Sequence, residues 1–137
     1  MKIKNSSVST TLRGYFSYRG REGQLSFLLH RITGLGTLLF LAIHIVDTAM
    51  VYFFPPLYEE AIGLYRNPVF MLGEIALVFS VIFHGVNGLR IAYIDLFNPK
   101  RWRIDTQRKS VRWTLGISLL LWLPPAFIMM NSLISNL

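Results

Sequence analysis

Residues 25–54 read LSFLLHRITGLGTLLFLAIHIVDTAMVYFF and run straight into Pro55-Pro56. About 20 apolar residues in an α-helix cross the hydrocarbon of a bilayer. The run is long enough to do so, with ends that reach beyond the hydrocarbon. Its few polar residues sit mostly near its ends. Ser26, His30, Arg31 and Thr33 come at the start, and His44 and Asp47 come later. Charged groups inside a span are costly, and they default to functional candidates.

Two further apolar runs follow, from about Pro68 to Phe97 and from about Val111 to Leu133. The chain has 137 residues, of which 53% are hydrophobic. Only 15% are charged, against about a quarter in a typical soluble domain. The reading is an all-α membrane protein. A polar segment, residues 1–24, precedes three transmembrane helices over about 25–54, 68–97 and 111–134. A signal peptide is a poor alternative, because the start is polar and no small-residue cleavage site follows a short apolar core. No cysteine is present, which excludes a disulfide framework, a thiolate metal site and an iron–sulfur cluster held by this chain.

The net charge of +7 raises nucleic acid as a partner. Its distribution answers otherwise. Lys2, Lys4, Arg13, Arg19 and Arg21 precede the first run, and Lys100, Arg101, Arg103, Arg108, Lys109 and Arg112 lie around the link between the second and third. The link between the first and second carries only Arg66, beside Glu59 and Glu60. This is the lysine and arginine bias of inside loops. It places the N-terminus inside and the C-terminus outside, with anionic lipid rather than nucleic acid at the basic face. The tail shows no long arginine-rich amphipathic stretch, so the expected location is the plasma (inner) membrane of a bacterium or archaeon. The segment FSYRGREGQ, residues 16–24, reads equally as a lipid-surface tail or as a contact for a soluble subunit.

All three histidines lie in the first two runs, and the third run has no ionisable residue beyond Arg112 at its start. His30 and His44 share a helix face, about 21 Å apart along the axis. On the second run Ser80, His84, Asn87, Gly88 and Asp95 form a polar, small-residue stripe, with Gly85 next to His84. Imidazole binds iron when neutral, and a low-dielectric site favours the neutral form. A membrane histidine among glycines therefore points to axial ligation of a haem. It equally describes a helix–helix interface, where glycine allows close approach and histidine bonds across. At the inner edge Ser26, His30, Arg31 and Asp95 have the chemistry to hydrogen-bond a quinone head whose tail stays in lipid. Taken alone, Arg31 and Arg90 read as side chains snorkelling to the inner interface.

Taken together, SFLLHRITG (residues 26–34) and FHGVNGLRIAYID (residues 83–95) resemble the cytochrome b membrane-anchor subunit of succinate dehydrogenase and fumarate reductase, respiratory complex II. The resemblance covers about Arg19 to Asp95. It implies a three-helix half of a bundle completed by a second three-helix anchor subunit. It also implies docking of a flavoprotein subunit and an iron–sulfur subunit on the inner side, with ubiquinone or menaquinone as electron acceptor. By the family pattern His84 is the axial ligand of a haem b, with Gly88 beside it. His30 and Arg31 lie near the haem propionates. Ser26, Arg31 and Asp95 line the quinone site. Two features depart from the pattern. Ser26 stands four residues before His30, where many members place the serine three before. His44 is a histidine that single-haem members lack on the first helix, and it is the candidate ligand of a second haem nearer the outside. One haem or two stays open. So do the rivals: a fumarate reductase anchor working in reverse, and a haem-free structural anchor or small transporter subunit.

Overall fold

The computed structural model describes residue 14 and residues 21–135. The greater part of the polar N-terminal segment, with most of FSYRGREGQ, lies outside those residues. Helix α1 spans Arg21–Phe53, α2 Pro55–Tyr65, α3 Pro68–Phe97 and α4 Ile104–Ser135. A 3₁₀ turn, Pro99–Arg101, separates α3 from α4. Three of these helices, α1, α3 and α4, are long and apolar enough to cross a membrane.

Prolines set the helix boundaries. The residue before a proline is pushed out of the helical region, and proline itself suits the first helical position. Phe54 and Asn98, each preceding a proline, sit at φ −143° and −149°. Pro55 and Pro68 open α2 and α3. Asn67 caps α3, its side-chain oxygen accepting from the Val69 N–H at 3.0 Å. Helix α2 lies in the link between the first two apolar runs. Helix α4 begins at Ile104, before the apolar run starts at Val111, because its first turns are charged. Asp105 complements the helix dipole there. Arg112 donates to Glu22 at 2.6 Å and Arg108 lies 3.6 Å from it, which joins the starts of α4 and α1.

Helix α3 is the middle of the bundle, packed along both α1 and α4, which touch each other much less. The buried apolar side chains among the described residues are Ile75, Phe83 and Ile94 of α3 and Val111, Ala126 and Leu133 of α4, and α4 also buries Thr114 and Ser118. Trp122 of α4 adds a hydrogen bond from Nε1 to the Ile75 carbonyl at 3.1 Å. Helix α1, by contrast, buries Ser26 and Thr33 and, among the described residues, no apolar side chain. Its contact with α3 is built from glycines and short polar groups. This is how membrane helices approach closely when lipid offers no hydrophobic drive for association. Several threonine hydroxyls within the spans return to their own helix. Thr33 Oγ1 donates to the Leu29 carbonyl at 2.7 Å, and Thr37 Oγ1 to that of Thr33 at 2.8 Å.

Candidate functional site: a histidine pair between α1 and α3

Facing glycines bring α1 and α3 together. A Cβ built on Gly36 would lie 2.6 Å from Ser80 Oγ, and one on Gly34 would lie 3.0 Å from His84 Cε1. The polar stripe of α3 therefore does serve as a helix interface. It also gathers the chemistry. The rings of His30 and His84 stack with centroids 4.2 Å apart and planes 6° from parallel. His84 Nδ1 lies 3.1 Å from the His30 carbonyl oxygen.

That contact fixes the His84 tautomer. A carbonyl only accepts, so Nδ1 carries the hydrogen and donates it. The neutral ring then keeps its lone pair on Nε2, the state in which imidazole ligates a metal. A backbone carbonyl on Nδ1 is also the usual outer partner of a ligating histidine, because it holds the ring in place and raises its basicity. Space is left beside the ring. Gly85 faces nothing within 4 Å, and a Cβ on Gly88 would come only to 3.9 Å from His30 Cε1. His30 Nδ1, Arg90 Nε and Arg90 Nη1 are sealed from solvent without a hydrogen-bond partner. These features fit a haem: one pinned imidazole, glycine-made room, and buried donors suited to its carboxylates.

Other expected site residues take different positions. Ser26 is 4% exposed and donates from Oγ to Asn87 Oδ1 at 3.3 Å. The serine's place on α1, four residues before His30, thus turns it into α3. Asn87 is 1% exposed, and this pair clamps the two helices one turn from the histidines. Arg31 is exposed, its guanidinium 5.2 Å from the centre of the Phe27 ring. Asp95 accepts from Trp102 Nε1 at 2.8 Å. The salt bridges among the described residues both fall on Glu22, so Arg31 and Asp95 do not pair with each other within the chain. His44 is exposed, stacked on Phe40 at 5.8 Å, and is not brought to the His30–His84 pair. Asp47 holds Tyr65 rather than His44: the phenol lies 3.0 and 3.1 Å from its two carboxylate oxygens. Burial first, then the Asp47 hydrogen bond and charge, with the charge of Glu74, push the Tyr65 phenol above its usual range.

Gly34 and Gly36 escaped the sequence reading as site residues. Their signal was present, since both stand on the first run near His30. Their meaning appears only against Ser80 and His84 on the other helix.

Comparison with known proteins agrees with this architecture. Residues 4–123 match the model of the family described as succinate dehydrogenase/fumarate reductase transmembrane subunit. Over 128 residues the chain is 34% identical to the succinate dehydrogenase 2 membrane subunit SdhC of Mycobacterium tuberculosis (strain ATCC 25618 / H37Rv), covering 89% of this chain and 90% of that one. With three membrane-length helices and a match of this extent, the chain belongs to the succinate dehydrogenase/fumarate reductase transmembrane subunit family.

Proposed function

We propose that this chain is the cytochrome b anchor of a succinate:quinone oxidoreductase, holding one haem b on His84 and forming part of a quinone site at its basic end. The observation that carries the reading is the His84 imidazole, held by its Nδ1 hydrogen bond to α1 with its Nε2 lone pair unused. The second axial ligand would come from a second three-helix anchor subunit. That subunit would cover the exposed face of α1, where Ile32, Leu35 and Leu38 are each more than half exposed. The haem, when bound, supplies a one-electron store beside the quinone. The name of the mycobacterial relative, a succinate dehydrogenase subunit, supports the direction from succinate to quinone.

This chain's own groups do the rest. The basic end, which carries Lys100, Arg101, Arg103 and Lys109, lies inside by the lysine and arginine rule. The flavoprotein and iron–sulfur subunits would dock there, which sets the quinone head near that surface. Arg31 stands exposed at that level, and its guanidinium would polarise a quinone carbonyl and stabilise charge as it develops. Ser26 would donate to a quinone carbonyl, but its proton is now given to Asn87. A quinone takes that proton only by leaving Asn87 Oδ1 without it, at a cost of about 1–3 kcal/mol. Asp95, with one oxygen held by Trp102, keeps the other to exchange a proton. The location would be the plasma membrane of a bacterium or archaeon.

The test is haem per purified complex by pyridine haemochrome, with a reduced-minus-oxidised spectrum and the His84→Ala variant alongside. One b haem, lost in the variant while the subunits still co-purify, is the expected result. Two haems would make His44 a second ligand. No haem would overturn the cytochrome reading and leave an anchor whose histidines only pack.

A further inference from the structure

Helix α2 takes no part in the histidine site, yet its residues are sorted by face. At 100° per residue, Leu64, Leu57, Ala61, Tyr65, Tyr58 and Ile62 fall within an arc of roughly 160°. Glu59, Glu60, Gly63 and Arg66 lie on the other side. The helix is therefore amphipathic. Only part of its apolar arc meets the bundle. Tyr58, Ala61, Ile62 and Tyr65 are half-buried, while Leu57 and Leu64, two turns apart on one edge, are 49% and 54% exposed.

One hydrogen bond shows how α2 lies. Had it continued α1 outward, Tyr65 would stand about 27 Å beyond Asp47, 18 residues on. Its hydroxyl instead lies 3.0 Å from an Asp47 oxygen. Asp47 itself is about 9 Å back from the end of α1 at Phe53. The break at Phe54 thus turns α2 back over the end of the bundle, where it packs on α1 and, less, on α3. The Leu57–Leu64 edge therefore lies at the level where one span ends and the next begins. The exposed apolar surface of those spans continues there, through Phe53 of α1 and Val69 and Phe70 of α3. This end is the outer one by the lysine and arginine rule.

We infer that α2 lies flat at the outer membrane–water boundary, with Leu57 and Leu64 set into the acyl chains of the outer leaflet and Glu59 and Glu60 in water. Lipid fits this edge better than protein does. Two leucines fall far below the roughly 800 Å² per partner that a stable protein interface buries, and they extend a surface that already faces lipid. Many interfacial helices are also drawn down by basic residues on anionic headgroups. Here the polar face carries Glu59 and Glu60 against Arg66 alone, so the apolar edge holds the helix and a zwitterionic headgroup layer is its match. The placement keeps Tyr65 over Asp47, a carboxylate within the α1 span that is costly to leave against acyl chains.

This chain has no cysteine, so the test places single spin labels with Leu57→Cys, Leu64→Cys, Glu59→Cys and Gly63→Cys. Each variant is purified as the whole complex and reconstituted in phosphatidylcholine vesicles, and the unsubstituted complex gives the background from other subunits. Electron paramagnetic resonance then reads collisions with oxygen, which concentrates among acyl chains, and with a neutral, water-soluble nickel chelate. Labels at the two leucine positions should meet oxygen freely and the nickel chelate severalfold less than labels at Glu59 and Gly63. Free access of nickel to the leucine positions would put the edge in water and overturn the proposal. Low access of both reagents would show a protein cover and overturn it too. So would immersion of all four labels, which a helix lying at a boundary does not give. Two positions on each face keep the comparison decisive if one variant fails to assemble.

Discussion

Gly34→Ala tests how closely the histidine pair depends on the contact between α1 and α3. The new Cβ would stand 3.0 Å from His84 Cε1 and 3.3 Å from Nδ1, where ordinary contact begins at 3.4 Å. The ring must therefore yield by about 0.4 Å at Cε1, the difference between 3.4 and 3.0 Å. Moving away from Gly34 also moves it away from the His30 carbonyl, since both belong to α1. The Nδ1 contact is already 3.1 Å, near the upper end of the usual hydrogen-bond range, and a further 0.4 Å carries it to about 3.5 Å, outside that range. Overpacking costs about 1–3 kcal/mol and the lost hydrogen bond about 1 kcal/mol. Alanine returns about 1 kcal/mol through its better helix propensity. The net is a loss of about 1–3 kcal/mol, with His84 no longer pinned. Thermal denaturation of the purified complex, followed by the haem absorption band, should show a lowered midpoint and an altered spectrum. Gly63→Ala is the control, because nothing lies within 4 Å of a Cβ there, and it should be neutral or slightly stabilising. A Gly34→Ala complex with wild-type midpoint and spectrum would refute the packing account.

Three further outcomes follow from the same contacts. Ser26→Ala removes the donor to Asn87 Oδ1 and leaves a buried amide unsatisfied, so thermal stability should fall by about 1–3 kcal/mol even in complex without added quinone. Trp102→Phe removes the donor to Asp95 at an exposed position. Haem content and dye-linked succinate oxidation should hold, while steady-state assays show a quinone KM changed by about tenfold at most, as one such bond allows. Tyr65 is protonated more firmly when folded than when unfolded, so its contribution is complete below the unfolded value of about 10 and is lost as pH rises through the folded value. Melting the wild type and Tyr65→Phe side by side should show the wild-type advantage shrinking above about pH 10.

The spans were legible because crossing a bilayer demands a long apolar run, and that demand is written locally. The stripe of Ser80, His84, Asn87 and Gly88 was legible for the same reason, since helical periodicity places those residues on one face. Gly34 and Gly36 were not, because their role is to admit Ser80 and His84 from another helix, and one sequence does not state register across an interface. Asp95 shows the limit from the other side. Its nearness to Arg31 was expected from depth alone, yet the Pro99–Arg101 turn brings Trp102 back onto it. Helix α2 had its punctuation in Pro55-Pro56 and Asn67-Pro68, but a short mixed polar and apolar stretch between two spans reads first as a link. The charged start of α4 was read as loop, because the apolar criterion for spans ignores turns that end in an ion pair with Glu22.

The two faces of α3 bear on the proposed pairing with a second anchor subunit. Helix α4 buries the apolar Val111, Ala126 and Leu133 beside the hydroxyls of Thr114 and Ser118. Ser118 Oγ has no partner, so polar groups are sealed on that side too. Toward α1 the contact is polar and open, and it leaves donors on His30 and Arg90 without partners. The α1–α3 half is complete only when something supplies an acceptor to those donors and covers the apolar side chains of α1, of which Leu35 is 71% exposed. A buried unpaired donor is costlier than an exposed leucine in lipid, so the pull toward a ligand is strongest where the histidines stack. Binding a cofactor would then strengthen, without being required for, recruitment of the second subunit. A His84→Ala complex should accordingly retain its α3–α4 packing while holding its anchor partner more weakly, which co-purification yield at rising detergent would show.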